Sequence, residues 1–199
     1  KSLFPKARSY LDVYDHYGML RPRAMYGHGI WLNDVDRLRM AQTQTATSVC
    51  ASSNLFLGSG LFDFARADQV QMLLSLGTDV GGGTSFSMLR TMGETYKIAR
   101  MSGTHVSALR LFYMATFGGA RCMQLDGTIG NFTLGSEADF LVLDPHATPI
   151  LSRRTSRANN LEELLFAFAL LGDDRAVAAT YIAGRQAACI KDNLGTSQL

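Results

Sequence analysis

The feature that constrains this chain most is a largely apolar run, Val70, Met72, Leu73, Leu74 and Leu76, that stops just before one carboxylate, Asp79, and passes into Gly81-Gly82-Gly83. Such a run bounded by glycine reads as a buried strand, and consecutive glycines let backbone approach a ligand closely. In a (β/α)8 barrel the C-terminal strand ends converge on the active site, so an acid placed there can hold a metal or take a proton from water. Asp is also a common helix cap. On spacing alone, Asp79 as a cap for the helix starting near Ser85 remains an equal reading.

The rest of the chain alternates strand, loop and helix, as parallel α/β architecture requires. Tyr10, Leu11, Val13 and Tyr14 have helical spacing over residues 8–18 and end at Gly18. Ala24-Met25-Tyr26 leads into a strand reaching His28, and Asn33 caps a helix from Asp34 to about Gln44, with Asp34 and Asp36 in its first turn. Thr47-Ser48-Val49-Cys50 is the next strand candidate. Ser52 to Gly60 reads as a loop by its Ser, Asn and Gly content, and Phe62 to Gln69 as a short helix. Helical spacing returns from Phe86 to Gly103, and Thr104 is the expected cap of a helix ending near Gly118-Gly119. Apolar runs at Phe140–Leu143 and Ala179–Ile182, the second followed by Gly184-Arg185, read as strands with a hairpin turn, and Asn160 caps a helix from Leu161 to Leu171.

With 199 residues, 47% of them hydrophobic, the chain can bury a core of its own. Its net charge of +2 is spread thinly and the densest basic spot, Arg153-Arg154 with Arg157, reads as a solvated loop, so nucleic acid is not implied as a partner. Cys50, Cys122 and Cys189 are odd in number and contain no C-x-x-C pair, which argues against a disulfide framework or a thiolate zinc site and fits a reducing cytoplasm. No apolar stretch approaches the length of a membrane span, and no membrane partner is implied. Gly81-Gly82-Gly83 lacks the Lys-Ser/Thr ending of a phosphate loop, and the His-x-Glu with Pro-Cys-x-x-Cys signature of one class of zinc enzymes is not found.

Gly77-Thr78-Asp79-Val80-Gly81-Gly82-Gly83 followed by Ser85-Phe86-Ser87-Met88-Leu89 resembles the last barrel strand and following helix of guanine deaminases, members of the amidohydrolase superfamily. Three further blocks agree in order. Tyr26-Gly27-His28-Gly29-Ile30-Trp31-Leu32 resembles the sixth strand with its histidine, Cys50 to Gly60 the loop after the seventh, and Gly135 to Asp144 the small β-domain of many amidohydrolases. The resemblance runs from about Lys1 to Gln186. It implies a partial (β/α)8 barrel of about strands six to eight over residues 1–125, followed over 126–199 by a C-terminal segment of a small β-sandwich domain with one helix.

The same resemblance implies zinc-dependent hydrolytic deamination of guanine to xanthine and ammonia. It assigns Asp79 as a ligand of a single zinc (Zn2+) and as the base receiving the proton of water. His28 it assigns to the attacking water and the tetrahedral intermediate, or to the metal directly, so both residues are candidate catalytic, metal and substrate-binding groups. Leu55 and Phe56 could wall a flat purine pocket, whereas Trp31, beyond the strand end, is expected in the core; His16, His105 and His146 have no partner pattern. The family's His-x-His on the first strand and His-x-x-Glu on the fifth do not occur here. The chain is therefore expected to be the C-terminal part of a longer cytoplasmic protein, homodimeric when complete, whose missing N-terminal part supplies the other ligands. The isolated piece is expected to be inactive. Deamination of a related purine, hydrolysis of an s-triazine, and a non-catalytic fragment that packs against a partner are the competing readings.

Overall fold

In the computed structural model, which describes residues 2–187, the chain builds two separate three-stranded sheets. Lys1, Cys189 and the end of the 126–199 segment lie outside the described residues. The first half reads α1 (Tyr10–His16), β1 (Met25–Gly27), α2 (Asp34–Gln42), β2 (Ala46–Val49), α3 (Ala51–Phe56), α4 (Phe64–Gln69) and β3 (Leu74–Leu76). Then follow α5 (Met88–Met101), α6 (Ala108–Ala115), α7 (Phe117–Cys122), β4 (Phe140–Leu143), α8 (Pro149–Thr155), α9 (Leu161–Leu171), β5 (Val177–Ile182) and β6 (Arg185–Gln186).

β1, β2 and β3 are parallel in chain order, with Gly27 opposite Ser48 and Val49 opposite Leu76. Ala46, Thr47, Val49, Leu74, Ser75 and Leu76 are buried, as expected of a parallel sheet covered on both faces. β4, β5 and β6 form the antiparallel sheet. Its β5–β6 turn is made by Ala183 and Gly184, both at positive φ, so Arg185 already pairs with Ile182. This puts the turn one residue earlier than Gly184-Arg185.

Side chains close the helix starts as the sequence indicates in most places. Asn33 Oδ1 accepts from the Asp36 amide at 2.9 Å, and Asn160 Oδ1 from the Glu163 amide at 2.9 Å. Elsewhere the structure corrects the expectation. Val70 to Leu73 turn out of α4 rather than forming strand, so the strand begins at Leu74. Ser107, not Thr104, caps α6, and the helix breaks at Thr116 before α7. The basic spot at Arg153 and Arg154 lies in the last turn of α8, not in a loop.

One hydrophobic cluster runs through the described residues. It joins Val49, Phe62, Phe64, Leu76, Leu89, Ile98 and Leu111 to Leu151, Ala167, Phe168 and Ala176, residues from both sides of position 125. α9 ties the two parts together by packing on α5, α6 and α8. No helix among the described residues is long and apolar enough to cross a membrane.

The α5–α9 contact depends on a missing side chain. A Cβ at Gly93 would lie 2.8 Å from the Ala169 carbonyl oxygen, backbone that cannot swing aside. Gly93→Val in the intact protein is therefore expected to lower stability by about 1–3 kcal/mol through overpacking, read by urea or thermal unfolding, and an unchanged midpoint would contradict the packing described.

Candidate active site

β1 ends at Gly27, but its pairing continues one step further, because the His28 amide donates to the Ser48 carbonyl at 2.9 Å. The chain then turns sharply, with the Gly29 amide donating to the Gly27 carbonyl and both His28 and Gly29 at positive φ (68° and 62°). A side chain at Gly29 would press on Thr47 Cγ2 at 2.7 Å, so this turn needs glycine for space as well as for conformation.

β2 and β3 bring the other candidate groups to the same end of the sheet. Cys50 follows β2 directly, and the Gly77 amide donates to the Val49 carbonyl at 3.1 Å, which seats the start of the Asp79 loop beside it. Asp79 has φ of 49°, left-handed for a residue with a side chain. Its carbonyl accepts from the Gly83 amide, and a Cβ at Gly82 would lie 2.5 Å from Ser53 Oγ and 3.3 Å from Asp79 Oδ2. The glycine run thus gives the carboxylate its room.

His28 Nε2 lies 3.8 Å from Asp79 Oδ2, and one ligand atom each from His28, Cys50 and Asp79 falls within 4.8 Å of the others. The two candidate residues named from the sequence therefore meet in space. Asp79 is also not the cap of the helix that follows: Ser87 caps α5, accepting from the Arg90 amide. The His28 and Asp79 side chains are 45% and 41% exposed, which leaves the group open on one side. A cavity of about 420 Å3 adjoins His28, walled by Tyr14, Tyr26, Trp31 and Leu57. Trp31 is 85% exposed at its rim rather than buried in the core, and Phe56 is also mostly exposed.

Two neighbours of the site escaped sequence reasoning. Cys50 has no partner at metal-binding spacing, yet the fold carries it to His28 and Asp79; the available signal was its position directly after a strand, like that of His28. Asn54 lies in α3, where a loop was expected, and its Oδ1 is 2.8 Å from His28 Nδ1.

Burial pushes the Cys50 thiol above its ordinary value, with the Asp79 charge adding to the effect, and burial takes Cys122 up to about 11. Both are therefore protonated at neutral pH and poor nucleophiles. In the folded protein at neutral pH, iodoacetamide is expected to leave the Cys50 and Cys122 peptides unmodified over a period that fully labels them in denaturant, as read by mass spectrometry. Rapid labelling of Cys50 would contradict its placement.

Residues 2–187 match the amidohydrolase family. The chain is 43% identical over 185 residues to guanine deaminase of Escherichia coli (strain K12), covering 93% of this chain and 42% of that protein. The solved structure of E. coli guanine deaminase superposes with a TM-score of 0.92 at 42% identity, over 94% of this chain and 44% of that one. Guanine deaminase from C. acetobutylicum, solved with guanine in its active site, superposes at 0.79 with 27% identity, over 94% of this chain and 45% of that one. The chain thus spans less than half the length of the relatives it matches, and with 186 consecutive residues matching the family it belongs to the amidohydrolases.

Proposed function

We propose that the protein carrying this chain hydrolyses guanine to xanthine and ammonia at a zinc site to which this chain contributes Asp79 and His28. The observation that carries this reading is the meeting of His28 and Asp79, from two different strand ends, 3.8 Å apart beside glycine-cleared space. The likeness to guanine deaminases, one of them solved with guanine bound, supports the choice of substrate. In this reading β1 to β3 are about the sixth to eighth strands of a (β/α)8 barrel, and β4 to β6 belong to the small β-domain. The part of the relatives that lies outside the match supplies the remaining strands and metal ligands. The protein is then a cytoplasmic enzyme, working as a homodimer.

The donor set fits zinc. Imidazole nitrogen and carboxylate oxygen are among its ordinary ligands, and His28 and Asp79 offer one each within 4.8 Å. What zinc supplies at such a site, when bound, is a lower pKa for water, towards about 7. The chain's own residues do the rest. Asp79 has two oxygens, so one serves as a ligand while the other takes the proton of the attacking water. The water oxygen bonds to the ring carbon that bears the amino group, and the proton is passed to that nitrogen, which leaves as ammonia. His28 Nε2 faces the same point with a single lone pair, which serves either as the second ligand or as the acceptor of a hydrogen bond from the attacking water, holding it in line with the ring.

Asp79→Asn keeps the size and one oxygen of the side chain but removes the charge and the proton acceptor. In the full-length, zinc-loaded protein it is expected to lower kcat on guanine by about 10²–10⁴, the usual worth of a positioned base. His28→Asn is expected to cost on the order of 10² by misplacing the water. Circular dichroism should stay close to that of the unaltered protein for both. The loss of guanine absorbance measures turnover, and a panel of purines and an s-triazine tests the substrate. Near-normal turnover in Asp79→Asn, or preference for another substrate of the panel, would overturn the assignment.

A further inference from the structure

Asn54 is 1% exposed, and its backbone is anchored in the helix that springs from the end of β2, with its amide donating to the Cys50 carbonyl at 2.9 Å. Its side chain reaches across to the neighbouring strand end, where Oδ1 sits 2.8 Å from His28 Nδ1, and its Nδ2 has no partner among the described residues. A side-chain amide this deeply buried is costly unless its bond matters.

A neutral imidazole carries one proton, on either Nδ1 or Nε2. An amide oxygen can only accept, so with Oδ1 facing the ring the proton belongs on Nδ1 and the lone pair on Nε2. The other side of the ring agrees with this. A protonated Nε2 beside a carboxylate would close to hydrogen-bond distance, about 2.7–2.9 Å for a charge-assisted pair, whereas Nε2 stands 3.8 Å from Asp79 Oδ2. Two electron-rich atoms facing each other across that gap leave room for an electropositive atom: a divalent cation or the proton of a water.

We propose that Asn54 is a positioning residue that holds the neutral His28 ring as its Nδ1–H tautomer and so directs the Nε2 lone pair towards Asp79. It acts through His28, as partners of metal-site histidines do when they fix the ring and its tautomer. The tautomer is a property of the protein without metal or substrate; only its effect on turnover rests on the proposed guanine deamination.

The test uses the full-length protein and two variants. Asn54→Asp keeps the acceptor oxygen in place but removes the amide donor, whereas Asn54→Leu removes both. 15N spectra of the histidine rings are recorded on metal-free protein about two pH units above the ordinary imidazole value near 6.5. His28 is expected to show a protonated Nδ1 and a bare Nε2 in the unaltered protein and in Asn54→Asp, and a shift towards the other tautomer in Asn54→Leu. In the zinc-loaded protein Asn54→Leu is expected to lose about 10–100-fold in kcat and to retain zinc less well through dialysis, with KM for guanine moving less than about threefold. Asn54→Asp is expected to recover most of both losses.

A protonated Nε2 in the unaltered protein would overturn the proposal, as would an Asn54→Leu variant with the same tautomer and unchanged kcat. Should Asn54→Leu lose its cooperative thermal transition, the ring spectrum of the unaltered protein decides: a bare Nε2 supports the proposal and a protonated one refutes it. Absence of guanine turnover in the unaltered protein would sink the proposed function instead, leaving the ring spectra to decide this point.

Discussion

The register of the parallel sheet is the constraint on which the candidate site depends. Gly27 is opposite Ser48 and Val49 is opposite Leu76, so the residues immediately beyond the strands, His28, Cys50 and the Gly77–Asp79 segment, come out on one rim. Strand side chains alternate between faces, so a slip of one residue between β1 and β2 would turn the imidazole away from the carboxylate. That register is held by buried side chains rather than by the site itself. Thr47 and Val49 are fully buried, and Leu74, Ser75 and Leu76 leave little surface on either face of β3, so a shifted pairing would disturb the core as well.

Space is the second requirement, and here it is provided by what the side chains lack. Gly29 lets the turn after β1 lie against Thr47, Gly77 passes close to Ser48, and Gly82 clears Ser53 and the Asp79 carboxylate. The same rim carries α3, whose buried Ser52 bonds Thr84 at 2.9 Å and accepts from its backbone amide at 3.0 Å, tying the glycine loop to the end of β2. The three strand ends are therefore linked laterally, first by backbone pairing and then by short polar side chains.

How much of this could be read from the residues differs by element. α2 and α9 were legible because Asn33 and Asn160 cap them and their lengths reach two to three turns. Spacing left Asp79 even between a reactive acid and a helix cap and gave His28 no partner; the resemblance to the amidohydrolases singled out both, and the structure brings them within 3.8 Å of each other while Ser87 caps α5. α3 was not legible, since Ser52, Ser53 and Asn54 favour turns and caps by local preference, and a six-residue helix is held by its surroundings rather than by propensity. Trp31 was assigned to the core on its size, but the turn at His28 and Gly29 leaves it at the rim of a cavity. Asn54 and Cys50 reach His28 through the pairing of β1 with β2, a contact across more than twenty residues that no local pattern records.

His28 and Asp79 both sit in left-handed backbone, at φ of 68° and 49°, a conformation that disfavours a residue with a Cβ by roughly 1–2 kcal/mol. Glycine would occupy either position with less strain. The chain thus keeps its two candidate reactive groups at places where its own thermodynamics would prefer to have no side chain. Improvement of thermal tolerance by random substitution would be drawn to these same two codons, and a copy released from the need to react would be expected to lose its imidazole and carboxylate early while the fold around them gained stability.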